Sequence, residues 1–234
     1  MPNVSHVVLF DIDGTLITSG RAGARGMDSA FLALYGVAGA LDGVSLAGRT
    51  DHAIVSDVMR AIGHEPTRDA IRALRDAYLD HLPGELAKPH PDARVLPGVV
   101  AVLDALSRRD DVAVGLLTGN FARGAAIKLG HFDLWSRFTF GAFGDDHGNR
   151  RDLVPIAMTE AARIGAVVPA TQVVVIGDTP LDIDCARHHS VRSVGVATGL
   201  FRKDALAAAE ADLVLDTLED TAGLLRWMDR MAEA

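Results

Sequence analysis

"VVLFDIDGTL", Val7 to Leu16, places two aspartates, Asp11 and Asp13, just where a run of four apolar residues stops. A short run of this kind, rich in valine, reads as a strand buried on both faces. Carboxylates are costly to bury. An acidic pair at the end of a buried strand therefore calls for a partner that the local sequence does not supply.

The same pattern recurs outward from that strand. Val112–Leu117, Phe138–Phe143, Val173–Ile176 and Ser193–Val196 are short apolar runs ending at small or acidic residues, and "ADLVLD", Ala211 to Asp216, fits a further edge strand. Helical patterns lie between them. After Pro97-Gly98, the residues Val99, Val102, Leu103 and Leu106 share one helical face. Asp152 is placed to cap a helix whose stripe is Leu153, Ile156, Ala157 and Ile164, closed by Gly165. Strands alternating with helices predict an α/β fold: a doubly wound (Rossmann-like) core around a mostly parallel sheet.

Between about Ile17 and Val95 the alternation breaks, and no convincing strand is visible. Met27, Ala30, Phe31 and Leu34 share one helical face. Thr50 is placed to cap a helix carrying Ile54, Val55, Val58, Met59 and Ile62, and Thr67 another carrying Ile71, Leu74, Tyr78 and Leu82. Glycines at 20, 23 and 26 lead into this block, and "PGELAKPHPDARVLPG", Pro83 to Gly98, leads out as a linker. The expectation is a small all-helical unit, residues 17–95, inserted after the first strand of a core made of 1–16 and 96–234.

The 234 residues suffice for one such core and its insertion. With 49% hydrophobic and 23% charged residues the composition is that of a soluble globular protein. A net charge of −8 argues against nucleic acid as a partner. No apolar run approaches the roughly 20 residues needed to cross a bilayer, and "MPNVSHVVLF" does not read as a signal peptide, so a cytoplasmic protein is expected. Without secretion the Asn3-Val4-Ser5 sequon carries no meaning. Cys185 is the single cysteine and is expected to be a buried structural thiol.

In open α/β sheets, ligands collect beyond the carboxyl ends of the strands. Asp11 and Asp13 lie at one such end, Thr118 in "VGLLTGN" at another, and Asp178 and Asp182 in "VVVIGDTPLD" at a third. If those strands are neighbours, four carboxylates face one crevice. Two unit charges about 4 Å apart repel by about 4 kcal/mol at an effective dielectric near 20. Such a cluster is expected to hold together only through a shared divalent cation, and an all-oxygen set with no matching His or Cys suits magnesium (Mg2+) with a phosphate.

"DIDGTL", "LLTGN" and "IGDTPLD", in that order, resemble the motifs of the haloacid dehalogenase-like superfamily, and the helical insertion resembles that family's cap. Within it the chain is similar to phosphoglycolate-phosphatase-like phosphomonoesterases. The resemblance implies Asp11 as nucleophile, forming an aspartyl-phosphate, and Asp13 as the acid and base that serves the leaving alkoxide and then water. A raised Asp13 pKa, and hence a protected site, belongs to that expectation. Asp178, with the Asp11 carboxylate and the Asp13 carbonyl, would bind Mg2+, with Asp182 a ligand through water or a support. The Thr118 hydroxyl and the Gly119 and Asn120 amides would hold phosphoryl oxygens. Gly14 would allow a tight turn beside the phosphate, and Thr15 would orient Asp11.

The family also implies a cation that screens the nucleophile. Lys128, in "AAIKLG", fits relatives with a "TGN…KL" pattern; where others carry Lys-Pro this chain reads "GNRRDLVP", which leaves Arg150 or Arg151 as the alternative. "LAGRTD", Leu46 to Asp51, resembles a cap loop whose Arg49 would pair with a substrate carboxylate. A lidded site favours a small soluble phosphate ester over a macromolecule. Other expectations are plainer: His188 and His189 on the surface, "GDDHGN" (Gly144 to Asn149) as a turn, and Arg108-Arg109 as helix-end charge.

Competing readings on this fold are a phosphosugar mutase and a catalytically silent phosphometabolite-binding domain. A dehalogenase would lack the acid at Asp13. A phosphonate hydrolase would need a cap lysine, and the insertion offers only Lys88, in its outgoing linker. Nothing in the sequence sets the oligomeric state.

Overall fold

The first strand, β1 (His6–Phe10), lies at the centre of a six-stranded sheet. The computed structural model describes residues 4–232, so Asn3 of the sequon and both extreme ends of the expected core lie outside the described residues. In chain order the elements that follow are β2 (Ile17–Thr18), α1 (Ala22–Tyr35), α2 (Asp51–Ala61), α3 (Arg68–Leu86), β3 (Arg94–Val95), α4 (Val99–Leu106) and β4 (Val112–Leu117). They continue with α5 (Ala122–His131), β5 (Gly141–Ala142), α6 (Leu153–Arg163), β6 (Val173–Gly177), α7 (Pro180–His188), β7 (Arg192–Val196), α8 (Lys203–Ala208), β8 (Leu213–Leu215) and α9 (Thr221–Ala232).

The main sheet runs β5-β4-β1-β6-β7-β8, every neighbouring pair parallel. Alternate residues of β1 serve opposite faces, as a strand's two-residue period requires. Val8 and Phe10 enter a cluster with Val99, Val102, Leu103 and Leu106 of α4 and Leu224 and Met228 of α9. Val7 and Leu9 enter another with Leu153, Val154 and Ala157 of α6 and Cys185 and Ala186 of α7. Each large side chain so buried contributes about 1.5–3 kcal/mol. Both faces are covered, which is why these strands read as unbroken apolar runs.

Several expectations are corrected. β5 is two residues long rather than six, because the chain before it sends its rings into packing: Phe138 meets Phe10 edge-on at 6.3 Å, and Phe140 lies against Gly115. Asp152 makes no capping bond. Asn149 does, accepting from the Arg151 N–H at the start of a 3-10 turn over Arg150–Asp152. Ile164 and Leu34, placed on buried stripes, are instead exposed. At the end of α1 it is Tyr35 that packs, on Phe31 and on the His64 ring at 4.6 Å. Arg109, just beyond the end of α4, pairs with Asp111 two residues on and with Asp229 from the C-terminal helix.

Helices α1, α2 and α3 share a separate apolar cluster built on Phe31, Met59, Leu74, Tyr78 and Leu82, closed by Phe121 from the loop after β4. Thr50 and Thr67 cap α2 and α3 as expected, accepting from the N–H groups of Ala53 and Ala70. Pro83 does not end α3. The helix continues to Leu86, where Glu85 bonds Arg25 at 2.8 Å and Lys88 at 2.6 Å. The stretch also contains strand after all: β2 and β3 pair antiparallel, Ile17 with Val95 and Thr18 with Arg94, joining the two crossings into and out of the helices. Among the described residues no helix is long and apolar enough to cross a membrane.

Candidate active site

Because β4, β1 and β6 are adjacent and parallel, their carboxyl ends open on one crevice. Beyond Phe10 the ladder takes one more bond, Asp11 N–H to the Ile176 carbonyl at 2.9 Å, which fixes the Asp11 backbone at the sheet's rim. Oxygens of Asp11, Asp178 and Asp182 lie within 4.8 Å of one another, and all three residues are buried. Burial pushes Asp11 up to about 6, opposed by the Arg150 guanidinium and reinforced by Asp182 and Asp13. Burial, then the charge of Asp11, also raises Asp178 well above the usual carboxylate range. Gly14, at φ +87°, and Gly199 leave the space that Asp178 fills: a Cβ on either would fall inside its carboxylate. The glycine at position 14 is thus required by Asp178.

Lys128 and Arg150, weighed as alternatives in the sequence, both enter the site and serve different acids. Lys128, on the helix that follows the β4 loop, donates to Asp13 Oδ2 and to Asn120 Oδ1, each at 2.6 Å. Arg150 reaches Asp11 Oδ1 at 3.0 Å and pairs with Asp182. Its other terminal nitrogen donates to the Gly48 carbonyl at 3.1 Å. Arg151 instead turns outward to Asp184. Four carboxylates, Asp11, Asp13, Asp178 and Asp182, thus surround two fixed cations, leaving a formal −2. Side-chain cations therefore share the task first assigned to a metal alone. The residual charge, the all-oxygen donors and the cradle at Asp178 fit a divalent ion.

The smaller polar groups are placed differently from expectation in two cases. Thr15 donates to Asp178 Oδ1 at 3.2 Å, so it orients that residue and not Asp11. Asp13 is not protected: its carboxyl is 40% exposed toward the cavity, held by Lys128 and by the Asn120 amide at 2.9 Å. Thr118 is fully buried, and its hydroxyl accepts from the Asn120 side chain at 2.8 Å. Asp182 spends one oxygen on the Thr179 N–H and hydroxyl in a capping box at the start of α7, and the other on Arg150. It supports Arg150 and the loop that carries Asp178.

The helical insertion forms the opposite wall of a cavity of about 580 Å³. Backbone meets backbone where the two halves dock. Asp51 N–H donates to the Gly119 carbonyl at 2.7 Å, and a Cβ on Gly119 would collide with the Arg49 carbonyl. Two carboxylates satisfy N–H groups at the start of α5: Asp51 accepts from Phe121 at 2.8 Å and Asp145 from Ala122 at 2.7 Å. Asp145 also faces Arg75, and its carbonyl meets the His52 ring, so the "GDDHGN" turn is a docking element as well. Arg49 lines the cavity, but its guanidinium is engaged by Asp57 and the Ser45 carbonyl.

Sequence reasoning missed Asp51 and Tyr78 as site residues. Asp51 reads as an ordinary first-turn acid and Tyr78 as one more residue of an apolar stripe. Cys185 is buried as expected, its thiol donating to the Arg150 carbonyl at 3.2 Å. His188 is exposed, while the His189 ring meets the Arg151 carbonyl at 2.7 Å.

Residues 8–187 match the model of a family described as haloacid dehalogenase-like hydrolase. A phosphoglycolate phosphatase of Salmonella choleraesuis is 26% identical over 231 residues, covering 91% of this chain and 89% of that protein. A crystal structure described as a predicted phosphoglycolate phosphatase from Haemophilus somnus superposes with a TM-score of 0.69 at 19% identity, over 96% of this chain and 99% of that one. A putative beta-phosphoglucomutase from Bacteroides vulgatus gives the same TM-score and identity over 99% and 92%. At such identities the structural matches speak to the fold alone.

Proposed function

Because the chain belongs to the haloacid dehalogenase-like hydrolase family, we propose that it is a Mg2+-dependent phosphomonoesterase. It would hydrolyse a small soluble, phosphoglycolate-like ester through an aspartyl-phosphate. The observation that supports this best is the arrangement of four strand-end carboxylates around two fixed cations at the floor of a cavity.

Asp11, with one oxygen on Arg150, attacks phosphorus with the other. The new bond joins Asp11 to phosphorus and the ester P–O bond breaks. Asp13 gives its proton to the departing alkoxide, then takes one from the water that attacks the acyl phosphate and frees Asp11. A substrate filling the cavity supplies the cover that the Asp13 carboxyl otherwise lacks. The Thr118 hydroxyl and the amides of Gly119 and Asn120 hold the equatorial phosphoryl oxygens. Asp11, Asp178 and the Asp13 carbonyl would hold the ion, which when bound supplies charge neutralisation at the phosphoryl group. Residues 17–95 act as the cap over the core of 1–16 and 96–234, in a protein of the cytoplasm.

The test is phosphate release from small phosphomonoesters with and without Mg2+, with product analysis to separate hydrolysis from transfer to another hydroxyl. Release that needs Mg2+ and disappears in Asp11→Asn is the expected result. No release under any condition would leave a binding domain in its place.

A further inference from the structure

Tyr78 stands on α3 with its ring held closely by glycines: a Cβ on Gly26 or on Gly124 would lie 3.2 Å from it. The residue is 1% exposed and lines the site cavity, yet its hydroxyl has no hydrogen-bond partner among the described residues. A buried phenol normally finds one, since leaving it unpaired costs about 1–3 kcal/mol. Burial also holds its pKa well above the ordinary range, so it stays protonated and able to donate.

Two neighbours point to the same spot. An ammonium has three protons, and Lys128 spends two, on Asp13 and Asn120. A Cβ on Gly23 would sit 3.0 Å from the Lys128 nitrogen and 3.7 Å from the Tyr78 hydroxyl, and all three residues line the cavity, so the two donors border one corner of its space. Tyr78 and Gly23 belong to the insertion, and the Lys128 nitrogen beside them bonds Asp13, whereas Asp11 is held by Arg150. The space therefore faces the part of a substrate that departs.

We propose that this space receives an oxygen acceptor of the leaving group, with Tyr78 as the hydrogen-bond donor that selects phosphomonoesters carrying a carboxylate or hydroxyl there. The inference rests on the phosphomonoesterase reading and specifies its substrate class.

Three esters that differ at one position test it: phosphoglycolate, hydroxyethyl phosphate and ethyl phosphate, with phenyl phosphate as a generic substrate. Tyr78→Phe is expected to lower the phosphoglycolate-to-ethyl-phosphate ratio of kcat/KM by about tenfold to a hundredfold, mainly through KM, as for a lost bond to a charged acceptor. Since the hydroxyl has no partner in the free protein, the same change is expected to leave Tm unchanged or raised. Equal losses on all three esters, an unchanged ratio, or a lowered Tm with an unchanged ratio would overturn the assignment of Tyr78. A wild-type protein inert on every ester, phenyl phosphate included, would overturn the phosphomonoesterase reading itself.

Discussion

Asp51 caps a core helix from the other half of the molecule, and burial pushes its pKa up from 3.8 to about 7. The folded state therefore binds this proton more tightly than the unfolded chain. Its contribution to stability is unperturbed below about pH 4 and is progressively lost as the pH rises toward 7, by on the order of a few kcal/mol. Asp51→Asn mimics the protonated form and keeps an oxygen for the Phe121 N–H. Its Tm relative to wild type is expected to rise between pH 5 and pH 8; parallel curves would refute the sign. Arg150 gives a second case. Arg150→Met leaves Asp11 and Asp182 buried without their cation and is expected to cost about 3–5 kcal/mol in denaturant unfolding. Arg151→Met, which loses a half-exposed pair with Asp184, is expected to cost no more than about 1 kcal/mol. Equal costs would contradict the placement of Arg150.

The loop from Leu46 to Asp51 and the loop after β4 meet backbone to backbone at Gly119. Gly119→Ala forces these loops apart. The expected result is a large loss of phosphatase activity and faster proteolysis within residues 17–95, with the far-ultraviolet CD of the sheet retained; unchanged activity would contradict this docking. The long buried strands were legible because a parallel sheet covered on both faces demands apolar runs, as at Val173–Ile176. β2 and β3 were not, because two-residue strands carry no period, and Pro83 misled because the packing of Leu82 and Leu86 carries the helix past it.

In the molecule as a whole, the convergence of Asp11, Thr118 and Asp178 could be anticipated from strand ends alone, since topology brings such ends together. The contacts of Arg150, Asp51 and Tyr78 could not, because each partner lies on another element and no local spacing encodes the encounter. The formal −2 left at the site predicts that Mg2+ stabilises the folded protein, by about 2.7 kcal/mol at a hundred times Kd. Asp178→Asn is expected to remove the Tm shift; a shift that survives it would place the ion elsewhere.

Phosphoryl transfer to Asp11 is the central step of the proposed reaction. Its most direct test is peptide mass spectrometry of Asp13→Asn protein, acid-quenched after incubation with Mg2+ and phenyl phosphate. The prediction is one added phosphoryl group on the peptide containing Asp11, absent when EDTA replaces the metal. Phosphoryl attached to any other residue would contradict it.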